Sequence, residues 1–399
     1  MPNIVPEVET FARIKVLGVG GSGKNALNHM VNSKVKGVEF IGVNTDAQDL
    51  HHTLAKKKIH IGKNLTKGLG TGMNPELGRR AVEETKEELQ EALKNADMVF
   101  VAGGLGGGTC SGAAPAVAKT AKELGALTVA VVTKPFFFEG AQRLRIAEQA
   151  LDTLKKEVDA IIVIPNDRLL SNIDRNTTAK AAFAMCDEVL KQAVEGISDL
   201  ITTPGLINID FADIRAVMEN AGSALMGIGV GSGEKRAEDA AKMAINSPLL
   251  DISIAGAKGV LFSIAGGDDL TMFEIQDAAK VITESIDPNA KVIFGTVRDE
   301  KLKKGEIKVT VIASGFGETP SSHVQKKSLF SSEPKDEVVK TAPVHTGKIF
   351  NTVAEKSEKH EKKEEKPEPK SSAEDKKNIP IIDADDDWGA VPAFLRRKK

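Results

Sequence analysis

Glycines are concentrated in one short stretch of this chain, at positions 103, 104, 106, 107, 108 and 112. An apolar run at residues 98–102 precedes them and predicts a buried strand, and an alanine-rich run at residues 113–124 follows and predicts a helix. A strand, a glycine loop and a helix in this order aim unpaired backbone N–H groups and the positive end of a helix dipole at an anion. Because glycines leave the backbone open to a ligand, the stretch predicts a phosphate-binding loop rather than a flexible linker.

A second glycine loop, near the start of the chain, matches two kinds of nucleotide site. Gly18, Gly20 and Gly23 fit the dinucleotide pattern G-x-G-x-x-G, and Asp46 follows a second predicted strand. The same stretch nearly fits a P-loop, but Asn25 stands where Ser or Thr would bind Mg²⁺. Both motifs bring backbone close to phosphate at a helix N-terminus, so this loop alone does not choose between them. The stretch at 103–112 argues against both, because neither class of enzyme requires it.

The composition favours a globular protein that works without nucleic acid. The chain has 399 residues, enough for two domains and a tail, and a net charge of −2. Its two cysteines, Cys110 and Cys186, are typical of a reducing compartment and predict no disulfide framework. It has no run of about 18 apolar residues and no basic, apolar signal peptide. We therefore expect a soluble, cytoplasmic protein that does not insert into a membrane.

Strands alternate with helices in the first half of the chain, which predicts an α/β fold with a doubly wound parallel sheet over residues 13–175. Apolar residues at three- and four-residue steps predict one long central helix over residues 176–203. Four strand patterns and two helical stretches then predict a smaller α+β domain over residues 204–316. In the first domain, the glycine-rich residues 67–75 precede a further predicted helix at residues 76–93.

The remaining segments are an N-terminal extension, residues 1–12, and a long tail. Residues 317–378 are rich in Lys, Glu, Ser and Pro and poor in large apolar groups. They predict a disordered linker with a mean reach of about 40 Å. Residues 379–399 regain apolar residues between acidic and basic blocks, which indicates a docking peptide rather than a frayed terminus.

Seven motifs, in order across residues 12–316, resemble those of the FtsZ family, the tubulin-like GTPases of bacterial cell division. They are GVGGSGKNA, NTDAQ, KGLGTGMNP, GGGTCSGAAP, PFFFEGAQR, IPND and NIDFADI, and the terminal VPAFLRR resembles that family's tail peptide. The resemblance implies a nucleotide domain and a second domain joined by the central helix. It also implies a cytoskeletal GTPase that polymerises head-to-tail, hydrolyses GTP at the subunit interface, and forms and turns over the division ring. Mg²⁺ would be bound through the phosphates, without a separate set of metal ligands.

The resemblance implies which residues of this chain contact each part of GTP. Glu139 and Arg143 would lie at the ribose, and Asn166 and Asp187 would bind guanine, with Phe183 in the same site. A carboxylate suits guanine because N1 and N2 present adjacent N–H donors, which adenine lacks; without the resemblance, Asp187 is simply an acid on a helix. The residues implied at the phosphates are Gly21, Ser22, Gly23, Lys24, Asn25, Gly70, Thr71, Gly72, Gly107, Gly108, Thr109, Cys110, Ser111 and Gly112.

Asn208, Asp210 and Asp213 would form the catalytic loop at the far end of the central helix. An Asp-x-x-Asp pair at a helix start is also what helix capping selects, so the spacing alone leaves both interpretations open. In the family, these carboxylates polarise a water that attacks the γ-phosphate of the neighbouring subunit's GTP. Hydrolysis would then need a head-to-tail contact, which builds open filaments.

The resemblance also implies partners and a location. The chain would bind copies of itself, and its tail would bind division proteins that tether it to the membrane at mid-cell. The tail residues implied in that contact are Pro392, Phe394, Leu395 and Arg396.

Two residues depart from the family pattern. Cys110 stands where a glycine is expected, and at a positive φ its side chain would cost about 1–3 kcal/mol of strain and weaken nucleotide binding. The alternative function is therefore a filament scaffold with little or no hydrolysis. A helix N-terminus would also lower the thiol pKa and make Cys110 reactive. Lys24 replaces a common glycine and would either contact phosphate or lie in solvent. A remote alternative, an NAD-dependent oxidoreductase, rests only on the first glycine loop.

Overall fold

The structure is a computed structural model that describes residues 12–170, 176–203, 205–247, 254–299 and 301–316. The predicted linker and docking peptide, and nearly all of the N-terminal extension, lie outside the described residues. The strands are β1 (Ile14–Val19), β2 (Val38–Asn44), β3 (Lys57–His60), β4 (Met98–Gly104), β5 (Leu127–Lys134), β6 (Ala160–Pro165), β7 (Gly222–Ser232), β8 (Gly259–Gly266), β9 (Lys291–Arg298) and β10 (Glu306–Ser314). The helices are α1 (Gly20–Asn32), α2 (Ala47–His51), α3 (Lys63–Thr66), α4 (Pro75–Glu84), α5 (Lys86–Leu93), α6 (Gly108–Glu123), α7 (Ala141–Glu157), α8 (Asn166–Leu170), α9 (Ala179–Thr202), α10 (Phe211–Met218), α11 (Arg236–Ile245) and α12 (Met272–Thr283).

The ten strands form one sheet in the order β3-β2-β1-β4-β5-β6-β7-β10-β8-β9. Strands β1 to β6 pair in parallel, which confirms the predicted doubly wound arrangement. β7 joins β6 in parallel over residues 160–162 and 222–224, so the sheet continues without a break into the second half of the chain. There β10 pairs antiparallel with both β7 and β8, as the predicted α+β region requires.

Helices cover both faces of the parallel strands and bury two apolar clusters. One cluster joins α1 and α9 to the sheet, and the other joins α4, α5, α6 and α7 to the opposite face. β4 and β5 consist mainly of apolar residues, so helices can pack on both faces of the sheet, and both faces of these strands are buried along almost their whole length. A third cluster lies under α11 and α12 in the second half of the chain. Among the described residues, no helix combines the length and apolar character needed to cross a bilayer.

Two helices differ from the sequence prediction. α6 begins at Gly108 rather than at residue 113, because glycines allow close packing as well as loop conformations. The glycine at position 112 lets α6 pack closely on α4, since a Cβ there would lie only 1.8 Å from the Pro75 carbonyl oxygen. The single helix predicted at residues 76–93 is broken at Thr85, where φ is −114°. The Thr85 hydroxyl accepts the Gly62 N–H at 3.1 Å, which favours the break. α9 agrees with the central helix to within a few residues.

Candidate functional site

A cleft of about 430 Å³ opens at the carboxyl ends of β1, β4, β5 and β6, where α1, α6 and α9 meet. The predicted site residues that line it are Gly21, Ser22, Asn25, Thr71, Gly107, Gly108, Thr109, Cys110, Glu139, Arg143, Asn166, Phe183 and Asp187. A separate cavity of about 330 Å³ between α4, α6 and α7 contains Ser111 and Gly112. We place the site in the larger cleft, because it lies at the strand ends where ligands of doubly wound sheets bind.

One end of the cleft is suited to phosphate because α1 and α6 both begin there. Neither helix has an acidic residue in its first turn or a side-chain cap, so their positive ends are free to bind an anion. Gly107 has open space where a Cβ would stand, which lets a ligand approach the backbone. Hydroxyl groups extend this surface: Thr109 Oγ1 lies 2.7 Å from Thr45 Oγ1 and 3.2 Å from Thr71 Oγ1.

Three of the predicted phosphate residues do not line the cleft but support its loops. A Cβ at Gly23 would lie 2.7 Å from the Ala102 carbonyl oxygen, so glycine allows α1 to approach β4. Gly112 does the same between α6 and α4. The Ser111 hydroxyl accepts the Gly106 N–H at 2.9 Å and so holds the loop after β4.

Gly70 and Gly72 also lie outside the cleft lining, on either side of Thr71. Both have left-handed φ values, 79° and 56°, which glycine adopts without strain. This conformation turns the loop so that Thr71 reaches the cleft.

Lys24 forms an ion pair that the sequence did not suggest. Its Nζ lies 2.6 Å from Asp49 Oδ1, while Asn44 Nδ2 donates to Asp49 Oδ2 at 2.8 Å. Asp49 is close to the first glycine loop, since its Oδ2 lies 3.5 Å from where a Cβ at Gly21 would stand. Lys24 therefore neutralises a carboxylate beside the phosphate end of the cleft.

Cys110 does not have the positive φ at which its side chain would be strained. It lies within α6 and is not among the residues with positive φ. Its thiol is buried in the apolar cluster beneath the sheet, where burial raises the pKa of Cys110 to about 12. The expectation of a reactive, low-pKa thiol is therefore wrong, because desolvation outweighs the effect of the helix end.

The opposite end of the cleft is suited to a flat ring with N–H donors. Phe183 is 46% exposed and packs edge-on against Phe136, with ring centroids 5.4 Å apart. Asn166 is buried, and its Oδ1 has no hydrogen-bond partner. A buried acceptor without a donor is costly, which indicates that a ligand supplies one.

Asp187 lies at the same end of the cleft and is half-buried. Burial raises the pKa of its carboxyl to about 6, and electrostatic interactions with His29 and Lys24 oppose that rise. A carboxylate beside an unpaired amide oxygen forms a surface made of acceptors, which matches guanine better than adenine.

Glu139 and Arg143 form a pair at the rim. Arg143 Nη1 donates to Glu139 Oε2 at 2.8 Å, and Glu139 Oε1 accepts the Phe136 N–H at 3.0 Å. The carboxylate is therefore fixed in place before a ligand arrives.

The predicted catalytic residues are not in the cleft. Asp210 caps α10 by accepting the Asp213 N–H at 2.7 Å, which confirms the capping interpretation of Asp210. The Asn208 side chain accepts the Gly205 N–H at 2.7 Å. Asp187 is the ninth residue of α9, and about 22 Å of helix separates it from Thr202, the last residue of α9.

Several residues that complete the cleft were not predicted from the sequence. Thr133 lies near the end of β5, Pro135 directly follows that strand, and Leu190 lies on α9. Thr45, whose hydroxyl pairs with Thr109, is part of the NTDAQ motif and could have been included on that ground. Within the part of the chain that the structure describes, no group of three or more His, Cys, Asp or Glu side chains could hold a metal ion.

Comparisons with known proteins find two family models along the chain. The model described as "Tubulin/FtsZ family, GTPase domain" matches residues 13–174, and "FtsZ family, C-terminal domain" matches residues 222–317. Among solved structures, an empty FtsZ dimer from M. jannaschii is 46% identical, with a TM-score of 0.74, and the match covers 77% of this chain and 89% of that one. A tryptophan-to-tyrosine mutant of M. jannaschii FtsZ gives the same identity and TM-score, with 77% and 92% covered. CetZ2 from Haloferax volcanii, a GTPγS-bound protofilament, shares the fold at 22% identity and a TM-score of 0.66, covering 77% and 94%.

Proposed function

This chain belongs to the tubulin/FtsZ family and is a cytoskeletal GTPase, and on that premise we propose that it assembles head-to-tail and completes each hydrolytic site from two subunits. One observation carries the proposal: the cleft and the loop at residues 208–213 lie apart, with most of α9 between them. A single subunit therefore does not bring Asp210 or Asp213 to a phosphate in its own cleft. A neighbour stacked on the cleft can do so.

In the proposed complex, GTP lies along the cleft with its phosphates at the N-termini of α1 and α6. The backbone N–H groups there and the Thr109 hydroxyl hold the negative charge. Guanine stacks against Phe183 and donates its N–H groups to Asp187 and Asn166. The unpaired Asn166 Oδ1 supports this placement most directly.

In the proposed hydrolysis, the neighbour's loop supplies the groups that orient the water. The Asp210 and Asp213 carboxylates polarise a water for in-line attack on the γ-phosphate, and Asn208 helps to place it. The exposure of Asn208 and Asp210 supports this role, because both remain accessible to another subunit. Asp210 can cap α10 with one carboxylate oxygen and use the other for the water.

Exposed apolar side chains near both regions support self-association. Leu69, in the loop that carries Thr71, is 84% exposed, and Leu206, beside the catalytic loop, is 80% exposed. Phe273, in the first turn of α12, is 79% exposed. Burying exposed apolar side chains of this size would favour a contact between subunits. The M. jannaschii relative, described as a dimer, is consistent with such a contact.

Mg²⁺ is proposed to bind with the nucleotide rather than to the protein alone. The threonine hydroxyls at the phosphate end are neutral oxygen donors, and the described residues include no acidic cluster that would hold the ion without phosphate. When bound, the ion would neutralise charge on the β- and γ-phosphates.

The finer biological role is also a proposal. We assign the chain to the division ring at mid-cell, with the tail peptide at residues 379–399 bound to a membrane-tethering partner. The alternative of a scaffold with impaired hydrolysis loses its basis, because Cys110 is unstrained. The family match likewise removes the reason for an oxidoreductase.

Phosphate release at increasing protein concentration tests the proposal. If two subunits complete the site, activity per subunit rises steeply above a critical concentration. Activity per subunit that stays constant down to concentrations where the protein is monomeric would contradict it.

A further inference from the structure

The two ends of the cleft are carried by different helices, and a side-chain hydrogen bond joins those helices. α1 begins at the phosphate end, whereas α9 carries Phe183 and Asp187 at the base end. His29 Nε2 on α1 lies 2.7 Å from Glu188 Oε2 on α9, although 159 residues separate the two in sequence. Glu188 directly follows Asp187, so a shift of one moves the other.

The Glu188 carboxylate is a fixed acceptor for this bond. Lys191 Nζ lies 2.8 Å from Oε1, and Gln192 Nε2 donates to the same oxygen at 2.9 Å. Burial alone would raise the pKa of Glu188, but the hydrogen bonds from His29, Lys191 and Gln192 outweigh it and lower the pKa. The carboxylate is therefore ionised at neutral pH, with its other oxygen free to bind His29.

Apolar packing holds the helices together but does not fix their register. Leu27 and Met30 on α1 belong to the same buried cluster as Val189 and Leu190 on α9. Such contacts are non-directional, so they tolerate small sliding movements of one helix along the other. A hydrogen bond depends on distance and angle, and it can therefore define one position.

We propose that His29 and Glu188 form a clamp that sets the position of Asp187 relative to the phosphate-binding loops, and thereby the preference for guanine over adenine. The inference rests on the proposed role of Asp187 in binding guanine. His29 and Glu188 are positioning residues here, because neither lines the cleft. The electrostatic interaction with His29 also lowers the pKa of the Asp187 carboxyl, which favours the ionised form that accepts guanine N–H groups.

Nucleotide affinities of clamp variants test this proposal in the full-length protein. For His29→Leu we expect GTP affinity to fall about tenfold while ATP affinity changes less than twofold, because only guanine uses Asp187. Glu188→Ala should give the same loss, and the double variant should be no worse than either single variant, as expected for two residues that act as one unit. His29→Gln keeps an N–H donor at nearly the same reach and should restore GTP affinity to within about threefold.

Gln192→Ala is the matched control. It removes a bond to the same carboxylate, but from within α9, so it should leave both affinities unchanged. Equal losses of GTP and ATP affinity in His29→Leu, or additive losses in the double variant, would overturn the clamp. If His29→Leu does not fold, Glu188→Ala, which removes the acceptor of the same bond, provides the same comparison.

Asp187→Asn distinguishes a failure of the clamp from a failure of the proposed guanine site. If Asp187→Asn lowers the ratio of GTP to ATP affinity and His29→Leu does not, the clamp alone is wrong. If Asp187→Asn leaves that ratio unchanged, the proposed guanine site is wrong, and the clamp with it.

Discussion

Replacing Asp187 by asparagine should stabilise the nucleotide-free protein and at the same time weaken GTP binding. Burial raises the pKa of Asp187 from 3.8 to about 6 in the folded chain. One pKa unit corresponds to about 1.4 kcal/mol, so the ionised carboxylate opposes folding by about 1–3 kcal/mol at neutral pH, where the lower figure allows for solvent screening. Asparagine has nearly the same size and carries no charge, so it removes this cost.

The sign of the pH dependence follows from the raised pKa. Between about pH 4 and pH 6 the unfolded chain releases the Asp187 proton while the folded chain retains it, so this residue lowers stability progressively as pH rises. The stabilisation by Asp187→Asn should therefore be greatest above pH 6 and smaller near pH 5. GTP affinity of the unmodified protein should fall below pH 6, because a protonated carboxyl loses its acceptor character.

Urea unfolding of the nucleotide-free protein, near pH 7.5 and near pH 5, measures how Asp187→Asn changes the free energy of unfolding. We expect a gain of about 1–3 kcal/mol near pH 7.5 and about half as much near pH 5. GTP titration near pH 7.5 should show a loss of about ten- to a hundredfold in affinity. Asp152→Asn, an exposed acid on α7, is the control for removing one charge. A nucleotide-free Asp187→Asn protein that is less stable than the unmodified one, or that binds GTP equally well, would refute the reasoning.

Three further predictions concern other parts of the chain. Cys110 should resist alkylation for hours near pH 8 with or without GTP, because burial raises its pKa to about 12; rapid labelling detected by mass spectrometry would contradict its buried position. Arg236→Leu should cost about 2–4 kcal/mol in urea unfolding, because this buried guanidinium pairs with Asp269 and Glu274 at 2.7 and 2.6 Å; a loss no larger than that of the exposed control Lys235→Leu would show that the pairs contribute nothing. Deleting residues 380–399 should leave phosphate release intact and abolish co-sedimentation with vesicles that carry a tethering partner; loss of GTPase activity would instead show that the tail supports the folded body.

The sequence predicted the elements whose signals are local. Strands β4, β5 and β6 are nearly continuous apolar runs, α9 has a clear helical period, and the glycine loops stand out by composition, whereas the short strand β3, with the sequence KKIH, gave no such signal. These signals were sufficient for the fold class, whereas most of the residues that line the cleft were assigned from the resemblance to the FtsZ family. The roles of individual glycines were harder to assign, because Gly23 and Gly112 are explained by atoms of β4 and α4 that approach them only in the folded chain.

Long-range contacts could not be read from sequence spacing. The pairing of β6 with β7 spans about sixty residues, so local patterns did not show that one sheet runs through both halves. The bond between His29 and Glu188 spans even more of the chain. The sequence also left the backbone conformation of Cys110 open, because its φ depends on where α6 begins.

The central claim, that two subunits complete one hydrolytic site, is tested most directly by mixing two inactive variants. Asp213→Ala should bind GTP and assemble but hydrolyse it at least a hundredfold more slowly, whereas Asp187→Ala should fail to hold GTP tightly. In an equal mixture that co-assembles at random, about one contact in four joins an intact cleft to an intact loop. We expect phosphate release then to return to about a quarter of the unmodified rate. Mixed filaments that remain inactive at every ratio would contradict it.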